Sequence, residues 1–185
     1  MYFLGVDQSL REPGVAIVAP DGQVVVATCT KVGATLRGGQ RLAAIQAFLR
    51  DVSEGYRIVA AAVEGPSLNS THREFDLGEV SGVVRAQIYH CWSVEPLVVA
   101  PTQLKLFATG RSGADKGEVI NAVNAQWGIN TDNDNVADAV ALAQIARAAH
   151  TQVRCATRAQ ADVVVALRNP KPAVKRVRRK PGTNI

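Results

Sequence analysis

Tyr2-Phe3-Leu4-Gly5-Val6-Asp7 opens the chain as an apolar run closed by an acid, and Gly14-Val15-Ala16-Ile17-Val18 follows across a polar turn. Two such runs separated by a turn read as strands, which places Asp7 at a strand end. A third strand is expected near 23–29. Ile58-Val59-Ala60-Ala61-Ala62-Val63 repeats the pattern with Glu64 at its close, and Gly65-Pro66 stops it and begins a loop. A short strand near 97–100 makes five. Between them the sequence predicts helices over 39–53, where Leu42, Ile45, Phe48 and Leu49 fall at helical spacing, and over 74–90. Two more follow, over 116–126 and 136–150. Asp115 with Glu118 three residues on forms a capping box for the first of these, and Gly128 lies near its end. Three consecutive strands followed by alternating helices and strands predict an α/β fold with a mixed five-stranded sheet, antiparallel at one edge and flanked by helices.

In that arrangement Asp7 and Glu64 share a structural address at strand ends, and Asp138 falls in the first turns of the last helix, where the helix dipole favours a carboxylate. Taken singly, Asp7 and Asp138 read as turn and helix caps. Taken together, the three acids meet at one edge of the sheet. Carboxylates at such a site suit Mg²⁺ or Mn²⁺, because hard cations prefer oxygen ligands over imidazole and thiolate. Two such ions about 3.5–4 Å apart can hold an attacking water and a leaving oxygen on either side of a phosphodiester. The constellation therefore points to a metal-dependent nuclease.

Four segments carry a resemblance to a known family: Phe3 to Ser9 with Gly14-Val15-Ala16; Val63-Glu64; Ala100-Pro101-Thr102-Gln103-Leu104-Lys105 leading to Gly113-Ala114-Asp115-Lys116; and Val136-Ala137-Asp138-Ala139-Val140-Ala141-Leu142-Ala143. Over roughly residues 1–150 the chain resembles the RuvC-type Holliday-junction resolvases of the RNase H-like superfamily. The resemblance implies an RNase H-like fold, a homodimer, and a Mg²⁺-dependent endonuclease that nicks opposite strands of a four-way DNA junction. Asp7, Glu64 and Asp138 match the family's metal ligands. The usual position of the fourth ligand holds Asn135, whose carbonyl oxygen can serve, and Asp134, one residue earlier, is the other candidate. Lys116 matches a basic residue that lies near the cleaved phosphate, where a positive charge stabilises the transition state. Lys105 and Arg73 are further DNA-binding candidates. Bacterial members carry an aromatic wedge after the second acid, whereas this chain reads Gly65-Pro66-Ser67-Leu68-Asn69. Leu68 is either an apolar wedge or a packing residue. A range extending to forks or flaps is the corresponding expectation.

Charge distribution agrees with a nucleic-acid partner. From Arg168 onward there are seven basic residues and no acids, which leaves residues 1–167 slightly acidic at −2 within an overall +5. The tail residues Lys171, Lys175, Arg176, Arg178, Arg179 and Lys180 have little apolar company and read as a flexible DNA-holding arm. The division expected is a nuclease domain over 1–152 and a C-terminal extension over 153–185 whose basic tail spans 168–185. With 47% hydrophobic residues in 185, one core of ordinary size can form. Cys29, Cys91 and Cys155 are odd in number and lack CxxC spacing, which speaks against a disulfide scaffold and a zinc ribbon and suits a reducing cytoplasm. No apolar run approaches a membrane span, and no signal-peptide pattern opens the chain. His72, His90 and His150 lack metal-ligand spacing, and Trp92 and Trp127 read as packing groups. Gly78 and Gly82, four apart in the 74–90 helix, would allow close approach at a dimer interface. Two other classes compete. An actin-like ATPase or sugar kinase needs a glycine-rich nucleotide loop that is missing here, and a non-catalytic nucleic-acid-binding relative would keep the sheet but lose acids.

Overall fold

The structure, a computed structural model, describes residues 1–65 and 74–170. Its elements run β1 (Tyr2–Asp7), β2 (Gly14–Val18), β3 (Val24–Cys29), α1 (Gly38–Ser53), β4 (Ile58–Glu64), α2 (Glu74–Trp92), β5 (Leu97–Val99), α3 (Pro101–Thr109), α4 (Lys116–Trp127), α5 (Asp134–His150) and α6 (Arg158–Arg168). The five strands form one sheet in the order β3-β2-β1-β4-β5. β2 is antiparallel to both β1 and β3, while β4 is parallel to β1 and to β5. This is the mixed sheet with an antiparallel edge that the order of apolar runs predicts.

Strand alternation divides the core in two. Leu4, Val6, Val15, Ile17, Ala61 and Val63 point to one face and pack against Ile45 and Leu49 of α1 and Val80, Val84 and Ile88 of α2. Phe3, Ala16, Val18 and Ala62 point to the other, where α5 lies flanked by α3, α4 and α6. α5 is buried over most of its circumference, with Ala137, Ala139, Ala141, Ala143 and Ala146 all inaccessible, as expected of a helix without a polar face. Its small side chains let its backbone rest on the strands. A Cβ at Gly5 would stand 2.0 Å from the Ala139 carbonyl oxygen and 2.3 Å from the Ala143 nitrogen, and one at Gly14 would stand 2.2 Å from the Asn135 carbonyl oxygen. Only glycine fits these two contacts.

Two helices go beyond the sequence expectation. α3 begins with Pro101 at its first position, where the missing N–H costs nothing, and Gln103 Oε1 accepts a hydrogen bond from the Ala100 N–H at 3.0 Å. α6 begins at a capping box in which Thr157 Oγ1 accepts from the Gln160 N–H at 3.2 Å, and it sends Val163 and Val164 into the core beside α5. Arg168, assigned from sequence to the basic tail, belongs to this helix. Its guanidinium donates to the carbonyls of Ala148, Ala149 and Thr151 at 3.0, 2.8 and 2.6 Å and so closes the C-terminus of α5. Trp127 stacks on Phe107, and Trp92 donates its indole N–H to the Tyr56 carbonyl, so both tryptophans pack. Among the described residues no helix is long and apolar enough to cross a membrane.

Candidate active site

Val6 pairs with Val63 in the parallel β1–β4 ladder, so the next residue on each strand, Asp7 and Glu64, ends its strand beside the other. Alternation turns both side chains toward α5. α5 begins at Asp134, two residues earlier than periodicity suggests, because Asn133 caps it: Asn133 Oδ1 accepts from the Val136 N–H at 3.1 Å. Asp134 and Asp138 therefore stand one turn apart on the same helical face. The seating of α5 on Gly5 and Gly14 brings that face over the strand ends. Asp7, Glu64, Asp134, Asn135 and Asp138 line a single cleft of about 410 Å³ together with Gln8, Lys105 and Lys116.

The start of α5 is also tied to the turn after β1. Asn133 donates from Nδ2 to Glu12 Oε1 at 3.0 Å, and the Cys29 thiol donates to the same oxygen at 3.4 Å. Glu12 thus joins the segment that carries Asp7 to the helix that carries Asp134 and Asp138. Sequence reasoning missed this contact, since nothing local links residues so far apart.

Crowded carboxylates resist ionisation. Burial, followed by the charges of Glu64 and Asp138, holds the Asp7 carboxyl well above the usual carboxylate range, and a side-chain hydrogen bond with Glu64 adds to it. Burial also raises Glu64, partly offset by the bond from Asp7 and by Lys105 and Lys116. Asp138 is pushed up to about 7, by burial first and then by Glu64 and Asp134, against the pull of Lys116 and Lys105. Lys116, at the first position of α4, bonds to Asp134 Oδ2, which raises its own pKa and keeps it charged. The capping box expected at the start of α4 is present, with Glu118 N–H donating to Asp115 Oδ1 at 2.8 Å and Asp115 N–H donating to Glu118 Oε2 at 2.8 Å.

This donor set fits a hard divalent cation. The acids destabilise one another, and positive charge placed among them relieves both the repulsion and the retained protons. Among the described residues no three His, Cys, Asp or Glu side chains converge into a ready-made cage. Mg²⁺ does not require one, because it keeps several waters and binds through one or two carboxylates plus substrate phosphate. Gln8, passed over in the sequence, adds a complementary feature. It is 8% exposed, and its Nε2 is the one buried side-chain polar atom among the described residues without a partner, a donor placed beside Asp7 in want of an acceptor oxygen.

Of the other residues singled out from sequence, Leu68, Arg73, Lys171, Lys175, Arg176, Arg178, Arg179 and Lys180 lie outside the described residues. Gly78 and Gly82 stand on α2 with no described atom within 4 Å of an added Cβ. His150 tilts against Phe3, with ring centroids 5.9 Å apart.

Residues 3–146 match the family model described as Crossover junction endodeoxyribonuclease RuvC. The chain is 30% identical over 146 residues to the Crossover junction endodeoxyribonuclease RuvC of Anaeromyxobacter sp. (strain K), covering 77% of this chain and 78% of that protein. It is 26% identical over 150 residues to the one from Prochlorococcus marinus (strain MIT 9313), covering 77% and 96%. Among solved structures, Thermus thermophilus RuvC superimposes with a TM-score of 0.67 at 24% identity, covering 77% of this chain and 91% of that one. T. thermophilus RuvC in complex with Holliday junction substrate gives a TM-score of 0.68 at 23% identity, covering 77% and 90%. The shared fold is the RNase H-like mixed sheet with its flanking helices.

Proposed function

Since this chain belongs to the Crossover junction endodeoxyribonuclease RuvC family, we propose that its carboxylate cleft holds two Mg²⁺ ions, replaceable by Mn²⁺, and hydrolyses phosphodiesters of four-way DNA junctions. Membership makes it a metal-dependent, junction-resolving endonuclease. The observation that carries the finer reading is that Asp7 and Glu64, from adjacent parallel strands, line one cleft with Asp134 and Asp138, one turn apart on the helix seated above them.

Asp7, Glu64 and Asp138 are the ligands in this reading, with Asp134 as the fourth in preference to Asn135. The ions would activate a water and stabilise the leaving oxygen. Lys116, held against Asp134 in the cleft, would turn its ammonium to the developing phosphate charge once a metal ion takes up that carboxylate, and Lys105, which also lines the cleft, adds positive charge beside Glu64. Gln8 Nε2 supplies a hydrogen bond to an incoming oxygen. Leu68 and Arg73 would meet DNA beside the cleft, and the basic residues from Lys171 to Lys180 would hold its arms, so that a nuclease domain over 1–152 works with a C-terminal extension over 153–185 whose helix α6 packs on the body and whose basic tail holds DNA. A homodimer in the cytoplasm, using forks or flaps as well as four-way junctions, completes the proposal.

The test is a labelled panel of four-way junctions, forks and flaps incubated with and without Mg²⁺, with nick positions mapped. Paired nicks near the branch point that depend on the metal are expected. Binding without cleavage in either Mg²⁺ or Mn²⁺ would assign the chain to a non-catalytic role. Asp134→Ala and Asn135→Ala, compared side by side, identify the fourth ligand.

A further inference from the structure

We infer that a second cleft, lined by Arg11, Arg37 and Arg41, binds a backbone phosphate of the DNA strand whose neighbouring linkage occupies the carboxylate cleft; this rests on the nuclease reading above. Its position follows from the sheet. Asp7 pairs with Gly14, and Gly14 with Cys29, so the turn after β1 and the connection from β3 to α1 leave the sheet at the end where the acids stand. These two segments are bonded together, with the Val32 N–H donating to the Arg11 carbonyl at 2.7 Å and the Thr30 N–H to the Pro13 carbonyl at 3.3 Å. Between them and α2 lies a cleft of about 190 Å³ that holds all three arginines and shares Leu10 and Arg11 with the carboxylate cleft.

Arg37 and Arg41 are held in place there, and the three arginines are only partly neutralised. Arg37 donates to the carbonyl oxygens of Ala34 and Leu36, and Arg41 to the Leu36 carbonyl at 3.1 Å. Carbonyls orient a guanidinium without cancelling its charge. Among the described residues the three make one ion pair, Arg41 with Asp76 at 3.6 Å; Glu79 lines the adjoining space with Arg37 and Arg41 without pairing to either, and Arg11 and Arg37 have no ion pair. No acid lies in the first turn of α1, which opens onto the same space. An oriented, unpaired guanidinium is the group that binds a phosphate through two parallel hydrogen bonds. The neighbouring cleft carries four acids and repels the phosphate it must receive, so a positive cleft next to it holds the strand in place.

The experiment uses the full chain and a four-way junction in Ca²⁺, with the dissociation constant measured across a salt series for the unaltered protein, Arg11→Gln, Arg37→Gln and the double variant. Arg11 makes no side-chain bond among the described residues, so its variant leaves the fold intact, which thermal melting checks. The slope of log K against log salt should become shallower by about 0.9 in the double variant, the change that goes with engaging one phosphate fewer. KM for cleavage in Mg²⁺ should rise more than kcat falls. Arg50→Gln, at the far end of α1, should keep the original slope. An unchanged slope in both single variants and the double variant overturns the proposal while leaving the nuclease reading in place. Failure of the unaltered chain to bind any branched DNA overturns both. Competition by inorganic phosphate at millimolar concentration, with no change in slope in the variants, would assign the cleft to a free anion and also overturn it.

Discussion

The two faces of the sheet are packed by different means. Under α1 and α2, branched side chains interdigitate: Leu4, Val6 and Ile17 from the strands meet Ile45, Leu49 and Ile88. Under α5, glycine meets helix backbone, and almost nothing larger than alanine lies between Gly5 or Gly14 and the turns that carry Asn135, Ala139 and Ala143. Long side chains can change rotamer to absorb a shift, whereas backbone resting on backbone cannot. The acids occur only on the second face, where their separation is fixed by contacts that leave no play.

The largest effect should come from the site itself. Asp7→Asn should lower junction cleavage by on the order of 10³-fold or more while junction binding survives, because a ligand to a catalytic ion acts on chemistry more than on affinity. Loss of both together would make Asp7 a structural residue. Next, Gly14→Ala tests whether the α5 face sets the geometry. Its methyl must push away the Asn135 carbonyl, now 2.2 Å from where a Cβ would sit. The start of α5 should shift, and turnover per folded molecule should fall about 10²-fold, as small misplacements do. Normal turnover in a folded Gly14→Ala protein would break the contrast between the faces.

Asp138, pushed up to about 7, gives a smaller signal that depends on pH. Its folded pKa lies above the unfolded one, so the stability it contributes is present below about pH 4 and is lost as pH rises through 7. The metal-free protein should therefore melt at lower temperature at pH 8 than at pH 5. Divalent-ion affinity should rise over the same window as the competing proton leaves. Asp138→Asn should flatten both trends, and a profile unchanged by that variant would place the titration elsewhere. Leu49→Ala, on the opposite face, should have the least effect on catalysis. It should cost about 2–5 kcal/mol of stability in a denaturant melt. Turnover per folded molecule should hold within about twofold.

Much of the site is legible in the chain before any folding is considered. Asp7 and Glu64 close apolar runs, and the alanine-rich helix around Asp138 announces its own burial. Asp115 and Glu118 mark the start of α4 by chemistry that acts over three residues. What the sequence hides acts over longer distances or stands beside a louder signal. α3 starts at Pro101, in a segment that the sequence marks by its family resemblance but not as a helix. The Thr157–Gln160 box of α6 lies next to a basic stretch whose charge dominates, and so Arg168 reads as part of the tail. Arg11, Arg37 and Arg41 form no motif in the sequence. They meet only because two connections leave the same end of the sheet.

One consequence follows from how α5 is held. Asn133 fastens its first turn to Glu12, and Arg168 fastens its last carbonyls from α6. A rod pinned at both ends does not tilt to suit whatever it touches. Under the proposed function the burden of adjustment would pass to the nucleic acid: a crossing of strands that bends cheaply into this stiff mould would be handled well, and a straight duplex would have to be deformed at its own energetic expense.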